Sequence, residues 1–312
     1  MITEEKASDI LLSVLQIGKN ETAEKYSITL ETINRYLREA RKENSNVDSI
    51  LELASMYSPD ELKMLTAKKI HPSSKASRLT FEAEQVRLLV VTDTHIGSRY
   101  TVEDNLLSAI DEGINQGCSI MVHAGDVTEG MSGRDGHVYE LSHIGYREQR
   151  KASIDLLSQW PKKFYAISGN HDLWYAAKGD AGGIIVEDIC HALPDGTYLG
   201  EHEGDLIING AKVRLWHGED TGSYAISYRL QKLVESFSGG EKPNVLICGH
   251  THKFGYIFER NCHILTAGSI QKQSAWMRRK RLAAHCGFTI LTLGIKDSEV
   301  VYCEPKWYPF YR

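Results

Sequence analysis

The sequence contains few features that would place it outside the cell or in a membrane. Its six cysteines are scattered over 312 residues without a C-x-x-C pair, which is typical of free thiols in a reducing compartment. The opening segment, Met1–Lys6, lacks a signal-peptide pattern, and no apolar run approaches the length of a membrane span. These absences predict a cytoplasmic protein with no membrane partner.

An excess of positive charge is also missing. The chain carries 36 Lys and Arg against 41 Asp and Glu, for a net charge of −5, which argues against a wholly basic coat for nucleic acid. Hydrophobic residues make up 42% and charged residues 25%, as in ordinary globular proteins. A chain of this length predicts one large domain or two unequal ones.

Five apolar, β-rich segments each end in Asp, His or Asn. The polar stretches that follow them are Asp93-Thr94-His95, Gly125-Asp126, Gly169-Asn170-His171-Asp172, Trp216-His217-Gly218 and Gly249-His250-Thr251-His252. Ligands of open α/β sheets bind outside the carboxyl ends of the strands. We therefore expect these side chains to gather at one edge of a sheet.

The residue types indicate what such a site would hold. Two carboxylates, one amide oxygen and several imidazoles, with no thiolate, suit Mn, Fe or Zn better than Ca or Mg. The plainer alternative is a set of loop histidines that hold no metal. Five such elements in order, each after a strand, favour a metal site.

The order DxH, GD, GNHD, H and GHTH resembles the calcineurin-like metallophosphoesterase superfamily over about residues 86–295. The resemblance implies an α/β fold of two mixed β-sheets flanked by helices. It also implies two metal ions, one held by Asp93, His95 and His252 and the other by Asn170, His217 and His250. Asp126 would bridge the two ions.

The same resemblance implies a catalytic role for His171, which would contact the substrate phosphate or protonate the leaving oxygen. Asp172 would orient His171 or support the loop, unless it is a simple turn residue. Two ions roughly 3.5–4 Å apart can clamp a phosphoryl group and supply hydroxide from water near neutral pH. Manganese is the expected ion, with Fe, Zn or Ni as alternatives.

Residues 1–78 are predicted to form a small all-α module that ends in a linker at 71–77, and residues 79–312 the metallophosphoesterase domain. The pattern of a helix to Ile17, a short helix Glu21–Tyr26, a turn and a helix Leu30–Glu43 resembles helix-turn-helix modules of phage and prokaryotic DNA-binding proteins. Arg35 and Arg38 would then contact DNA. Residues 1–80 carry twelve basic and twelve acidic residues, so docking on a partner or homo-oligomer formation is the alternative.

Two stretches of the larger domain are candidates for substrate binding. The long segment Val127–Tyr146 would line the cleft with His143, unless His143 is an ordinary loop residue. Five basic residues and Trp276 lie between positions 271 and 281, where Arg278 and Arg279 would follow a nucleic-acid backbone. A solvated charged loop is the alternative. The aromatic tail Lys306–Arg312 is expected to pack on the domain or on another subunit.

The metal-binding motifs do not by themselves indicate which phosphoester is the substrate. Asp93-Thr94-His95-Ile96-Gly97 resembles the first motif of the double-strand-break repair nucleases of the superfamily. Those nucleases typically carry His three residues after the Asp of the second motif, where this chain has Glu129. The favoured prediction is a Mn-dependent DNA nuclease. The alternatives are a phosphomonoesterase, acting on phosphoprotein or nucleotide, and a DNA-binding regulator with a metallophosphoesterase domain.

Overall fold

The computed structural model describes residues 4–43, 76–177, 183–218 and 225–310. The chain divides into two compact units, Met1–Ile70 and His71–Arg312. The expected boundary after residue 78 stays a prediction; residues Ala76–Leu79 form a strand that pairs with Asp205–Ile208 in the second unit. Most of the linker expected at 71–77 lies outside the described residues.

Within residues 4–43 the first unit contains the helices that the sequence predicted there, and the two short helices expected in 48–70 lie outside the described residues. Helix α1 spans Glu4–Tyr26 and is broken at Gly18, whose φ of 82° and ψ of 169° are not helical. Helix α2, Leu30–Glu43, begins after Thr29, whose side-chain oxygen accepts a hydrogen bond from the Thr32 amide at 3.2 Å and so caps the helix. The two helices pack through a small apolar core of Ile10, Val14, Ile33 and Leu37.

Two six-stranded sheets form the centre of the second unit over its described residues. The first sheet has the order β1 (Ala76–Leu79), β6 (Glu203–Ile208), β7 (Ala211–Trp216), β8 (Val245–Cys248), β10 (Cys262–Ala267) and β9 (Phe254–Glu259). The second has the order β12 (Glu299–Pro309), β11 (Gly287–Lys296), β2 (Gln85–Val91), β3 (Ile120–Ala124), β4 (Phe164–Ser168) and β5 (Gly196–Glu201). Both sheets mix parallel and antiparallel pairs, as expected.

Helices cover the outer faces of the sheets. They are α3 (Glu103–Asn115), α4 (Tyr146–Leu157), α5 (Asn170–Ala177), α6 (Ile185–Ala192) and α7 (Ile226–Ser236), and a further short helix, α8, spans Ala275–Lys280. One apolar core lies between the sheets, and two others lie between a sheet and its helices. The predicted fold class is therefore confirmed. Among the described helices, none is both long and apolar enough to cross a membrane.

The strands that precede the polar motifs belong to both sheets, so the expectation of one sheet edge was wrong. Strands β2, β3 and β4 are neighbours in the second sheet, whereas β7 and β8 are neighbours in the first. Aliphatic side chains from both sheets, such as Val90 and Val213, share the core between them. Because this core holds the sheets together, the carboxyl ends of five strands from two sheets can meet at one site.

The aromatic tail packs on its own unit. Trp307 stacks on Phe254 with ring centroids 4.5 Å apart, and Tyr308 stacks on Phe288 at 4.8 Å. Strand β12 also pairs with β11 along its length. Of the two predicted roles of the tail, packing on the domain is the one that the structure shows, and association with another subunit stays a prediction.

Candidate metal centre

The backbone of the motif residues adopts an unusual conformation. Asp93, His95, Asp126, His250 and His252 all have φ between 47° and 72°, a region that non-glycine residues rarely adopt. Such strain persists only where the surroundings determine it and is concentrated at functional sites. Here the first two motifs hold each other, since the amides of Asp93 and His95 donate to the carbonyls of Gly125 and Asp126 at 3.1 Å.

The first group of candidate ligands comprises Asp93, His95 and His252. His252 Nε2 lies 3.1 Å from His95 Nε2 and 3.3 Å from Asp93 Oδ1. His95 Nε2 lies 3.7 Å from Asp126 Oδ2. All four side chains are buried.

The second group of candidate ligands also lies beside Asp126 Oδ2. His217 Nε2 lies 3.2 Å from both Asp126 Oδ2 and Asn170 Oδ1. His250 Nδ1 lies 3.0 Å from Asn170 Oδ1. The His217 ring is oriented from behind, because its Nδ1 donates to the carbonyl of Ala124 at 2.7 Å.

Asp126 is shared by the two groups. Its Oδ1 accepts a hydrogen bond from the His171 amide at 2.8 Å, which leaves Oδ2 between His95 and His217. Imidazole nitrogens and carboxylate oxygens that face one another at 3–4 Å need protons or cations between them. The donor set therefore fits two divalent ions of the borderline class, and the sequence-predicted ligands are all brought together.

The carboxylates of the centre are held in their charged form. Although burial acts to raise the pKa of Asp93, the charge and hydrogen bond of His252 lower it to about 2. Burial opposes ionisation of Asp126 as well, but the neighbouring histidines, above all His217, hold its pKa well below the usual range. Negative charge is therefore maintained where cations would bind.

The imidazoles respond to those carboxylates. Burial acts to lower the pKa of His95, but Glu129, Asp126 and Asp93 raise it to about 9. The pKa of His217 is raised to about 10 against the same effect of burial, mainly by Asp126. The acidic groups thus draw protons onto His95 and His217, and a divalent ion would displace these protons on binding.

His171 lies beside the first group, with its ring 4.5 Å from that of His95. Its Nδ1 donates to the carbonyl of Glu129 at 2.9 Å, and its ring packs on Trp174 at 3.9 Å. The side chain is 23% exposed. Nε2 is therefore the atom that can contact a substrate.

Asp172 supports the loop and does not orient His171. Its carboxylate accepts hydrogen bonds from the amides of Val127, Thr128 and Gly169 and from the Thr128 hydroxyl, at 2.7–3.1 Å. Burial and the charge of Asp126 raise its pKa to about 6. These contacts place Asp172 under the loops that carry Asp126 and Asn170, and a catalytic role for it stays a prediction.

Three residues outside the predicted ligand set complete the centre: Glu129, His137 and Gln271. Glu129 Oε2 lies 3.0 Å from His95 Nδ1, and Oε1 lies 2.9 Å from His137 Nε2. Gln271 Nε2 donates to Glu129 Oε2 at 3.0 Å. The signal for Glu129 was its place three residues after Asp126, whereas nothing in the sequence pairs Gln271 with this loop.

The predicted substrate contacts fall in separate places. The His143 side chain contacts Ser142 Oγ at 3.2 Å. Arg278 and Arg279 line an open cavity of about 560 Å³ together with Tyr100, Gln273, Ala275 and Arg281. Arg35 and Arg38 are exposed on α2 in the first unit.

Comparison with known proteins agrees with this geometry. Residues 86–286 match the calcineurin-like phosphoesterase superfamily domain. The chain belongs to this superfamily, whose members are hydrolases of phosphoesters that use divalent metals.

Individual relatives are distant. The DNA polymerase II small subunit of Methanothermobacter thermautotrophicus is 21% identical over 285 residues, which are 76% of this chain and 58% of that protein. A solved archaeal phosphodiesterase is 15% identical with a TM-score of 0.42, over 72% of this chain and all of its own. Yfce, a phosphoesterase from E. coli, is 16% identical with a TM-score of 0.41, over 70% of this chain and 98% of its own.

Proposed function

We propose that the protein is a two-metal phosphodiesterase that cleaves DNA, with manganese as its ion. The observation that carries the proposal is the position of Asp126 Oδ2 between two groups of nitrogen and oxygen ligands. Asp93, His95 and His252 would hold one ion, and Asn170, His217 and His250 the other. Bound ions would polarise the phosphate and provide a nucleophile from water near neutral pH.

The residues of the chain supply the remaining chemistry. His171 Nδ1 donates to the Glu129 carbonyl, so its Nε2 can bind a phosphate oxygen or deliver a proton to the leaving oxygen. Trp174 holds the ring from one side. The support that Asp172 gives to the loops keeps Asp126 and Asn170 in place, which matters because small displacements of reacting groups cost rate.

A polymeric anion explains the basic surface better than a small monoester does. The basic surface lies on residues 271–281, and this segment starts at the metal centre. There the Gln271 amide donates to the Asp93 carbonyl and the Lys272 amide donates to the Tyr100 carbonyl. Three arginines then line the cavity around Tyr100. Phosphates on either side of the scissile bond could bind there. The likeness to a DNA polymerase small subunit supports the same class of substrate.

The test compares substrates with manganese present. Linear and circular DNA, bis-p-nitrophenyl phosphate and p-nitrophenyl phosphate would be assayed with the wild type, Asp126→Asn and His171→Ala. We expect cleavage of DNA and of the diester, at least a hundredfold slower in Asp126→Asn and reduced in His171→Ala. Hydrolysis of the monoester without cleavage of DNA would overturn the nuclease proposal in favour of a phosphatase.

A further inference from the structure

The carboxylate of Glu129 is buried and contacts three other side chains. Oε2 accepts from Gln271 Nε2 at 3.0 Å and lies 3.0 Å from His95 Nδ1. Oε1 lies 2.9 Å from His137 Nε2. The residue is only 5% exposed. A buried carboxylate is costly unless it is paired and hydrogen-bonded, and here three side chains surround it.

These contacts make Glu129 a support for a ligand and not a ligand itself. Glu129, His95 and His171 are close enough to hold an ion of their own. However, Gln271 Nε2 can only donate, and His95 Nδ1 would have to lose its proton to bind such an ion. The Nε2 atom of His95 already faces Asp93, Asp126 and His252. If Nδ1 of His95 also bound an ion, the His95 ring would bridge that ion and the first metal ion.

We infer that Glu129 is a positioning residue, whose carboxylate, 3.0 Å from His95 Nδ1, pairs with the N–H at that nitrogen when Nε2 binds the first metal ion. The inference rests on the proposed metal centre. A carboxylate that accepts the second N–H of a ligating histidine fixes the ring orientation and increases the basicity of the ligand. Glu129 takes this role from the position where the repair-nuclease motif has a histidine.

The same residue links the metal centre to the long loop. His137 Nδ1 accepts from the Ser132 amide at 3.1 Å, so its Nε2 carries the proton that is donated to Glu129. The backbone carbonyl of Glu129 accepts from His171 Nδ1. Glu129 therefore positions a ligand through its side chain and the proposed acid through its backbone.

The experiment is an isothermal calorimetric titration of the chelator-treated full chain with Mn²⁺, which measures the number of bound ions and the affinity of each site. We expect the wild type to bind two ions. In Glu129→Gln one of the two affinities should fall about 10–100-fold while the other stays within twofold. Glu140→Gln is the matched control, since Glu140 lies in the same loop and pairs with Arg134; it should bind as the wild type does.

A second readout follows the tautomer itself. Long-range proton–nitrogen NMR correlations of the zinc-loaded protein should show His95 as the Nδ1–H form, and this signal should change in Glu129→Gln. If Glu129→Gln does not fold, Glu129→Asp withdraws the carboxylate by one methylene and should show the same selective loss. Wild-type affinity at both sites in the folded variant would overturn the inference. A wild type that binds no divalent ion would instead contradict the proposed function.

Discussion

Asp172 shows at the scale of a single residue how a motif side chain can act through hydrogen bonds to a loop. Its carboxylate receives three backbone amides and one hydroxyl. Removing the acceptor leaves those buried donors without a partner, and each unsatisfied donor costs about 1–3 kcal/mol. Because loops relax, we expect the total to be smaller than a simple sum.

Asp172→Ala should therefore lower the free energy of unfolding by roughly 3 kcal/mol, measured by urea denaturation of the metal-free protein. Asp135→Ala, on the exposed part of the long loop, serves as the control and should change it by less than about 0.5 kcal/mol. Equal stability of both variants would show that the loop does not depend on Asp172.

The histidines of the centre predict a pH dependence. In the metal-free protein the pKa of His95 is raised from 6.5 to about 9 and that of His217 to about 10. A raised pKa contributes stability that is complete below pH 6.5 and is lost as the pH rises through 9–10. The melting temperature of chelator-treated protein should accordingly fall over this range.

Added Mn²⁺ should reduce that fall, because the ion takes the place of the protons and binds more tightly as the pH rises. Differential scanning calorimetry at several pH values measures both effects. His217→Asn removes one of the two groups and should flatten the profile of the metal-free protein. A profile identical to that of the wild type would assign the pH dependence to other groups.

At the scale of elements, the turns after the strands must come close enough for side chains from two sheets to meet. Gly169, between β4 and α5, is an example, since a Cβ added there would overlap with the Asp126 carboxylate and approach His217 Nε2 to 2.7 Å. Gly249, after β8, would likewise collide with Thr92 and with the carbonyl of Ala124. Both positions need glycine for close approach.

Gly169→Ala is expected to weaken the binding of divalent ions at least tenfold, because it displaces the shared carboxylate. Gly240→Ala is the control, since nothing lies within 4 Å of its added Cβ. Calorimetric titration of both variants with Mn²⁺ tests the expectation. Retention of both ions by Gly169→Ala would mean that the turn accommodates the methyl group.

The basic helix α8 is a second element whose role can be tested. Replacing Arg278 and Arg279 together by Ala should weaken DNA binding and reduce the slope of log K against log salt by about 1–2, since each phosphate contact contributes about 0.9. Arg260 and Lys296 are exposed cations elsewhere in the unit, and their double Ala variant is the control. Equal slopes in the two variants would remove α8 from the DNA-binding surface.

At the scale of the whole molecule, the division into two units would separate the proposed catalysis from the proposed delivery of substrate. Because β1 is the edge strand of the first sheet, a chain of residues 71–312 keeps that sheet intact, whereas residues 80–312 lose its edge strand. The first should hydrolyse bis-p-nitrophenyl phosphate with the kcat/KM of the full chain. The second should melt at a lower temperature.

We expect residues 71–312 to bind DNA at least tenfold more weakly than the full chain does, because Arg35 and Arg38 are removed with the helical unit. Gel-shift titrations at fixed salt measure the difference. The matched full-length variant is Arg35→Ala with Arg38→Ala, which keeps both units. If either protein binds DNA as the wild type does, the helical unit serves a partner or another copy of the chain.

The sequence alone determined those features that depend on local patterns. Apolar segments predicted strands at 87–91, 119–123, 164–167, 213–216 and 245–248, and β2, β3, β4, β7 and β8 lie within a few residues of these limits. Strand propensity and alternation act over a few residues, so a single chain displays them. The candidate ligands could be found for the same reason, since each directly follows such a strand.

Only the tertiary structure decided which distant residues meet. Gln271 and Glu129 are separated by 142 positions and share a hydrogen bond, and no local pattern encodes that pairing. The distribution of five strand ends over two sheets depends on the apolar core that both sheets share. Burial of apolar surface is not directional, so an apolar strand segment does not specify which sheet it joins. The roles of Glu129 and Asp172 follow from these long-range contacts and could not be taken from motif positions.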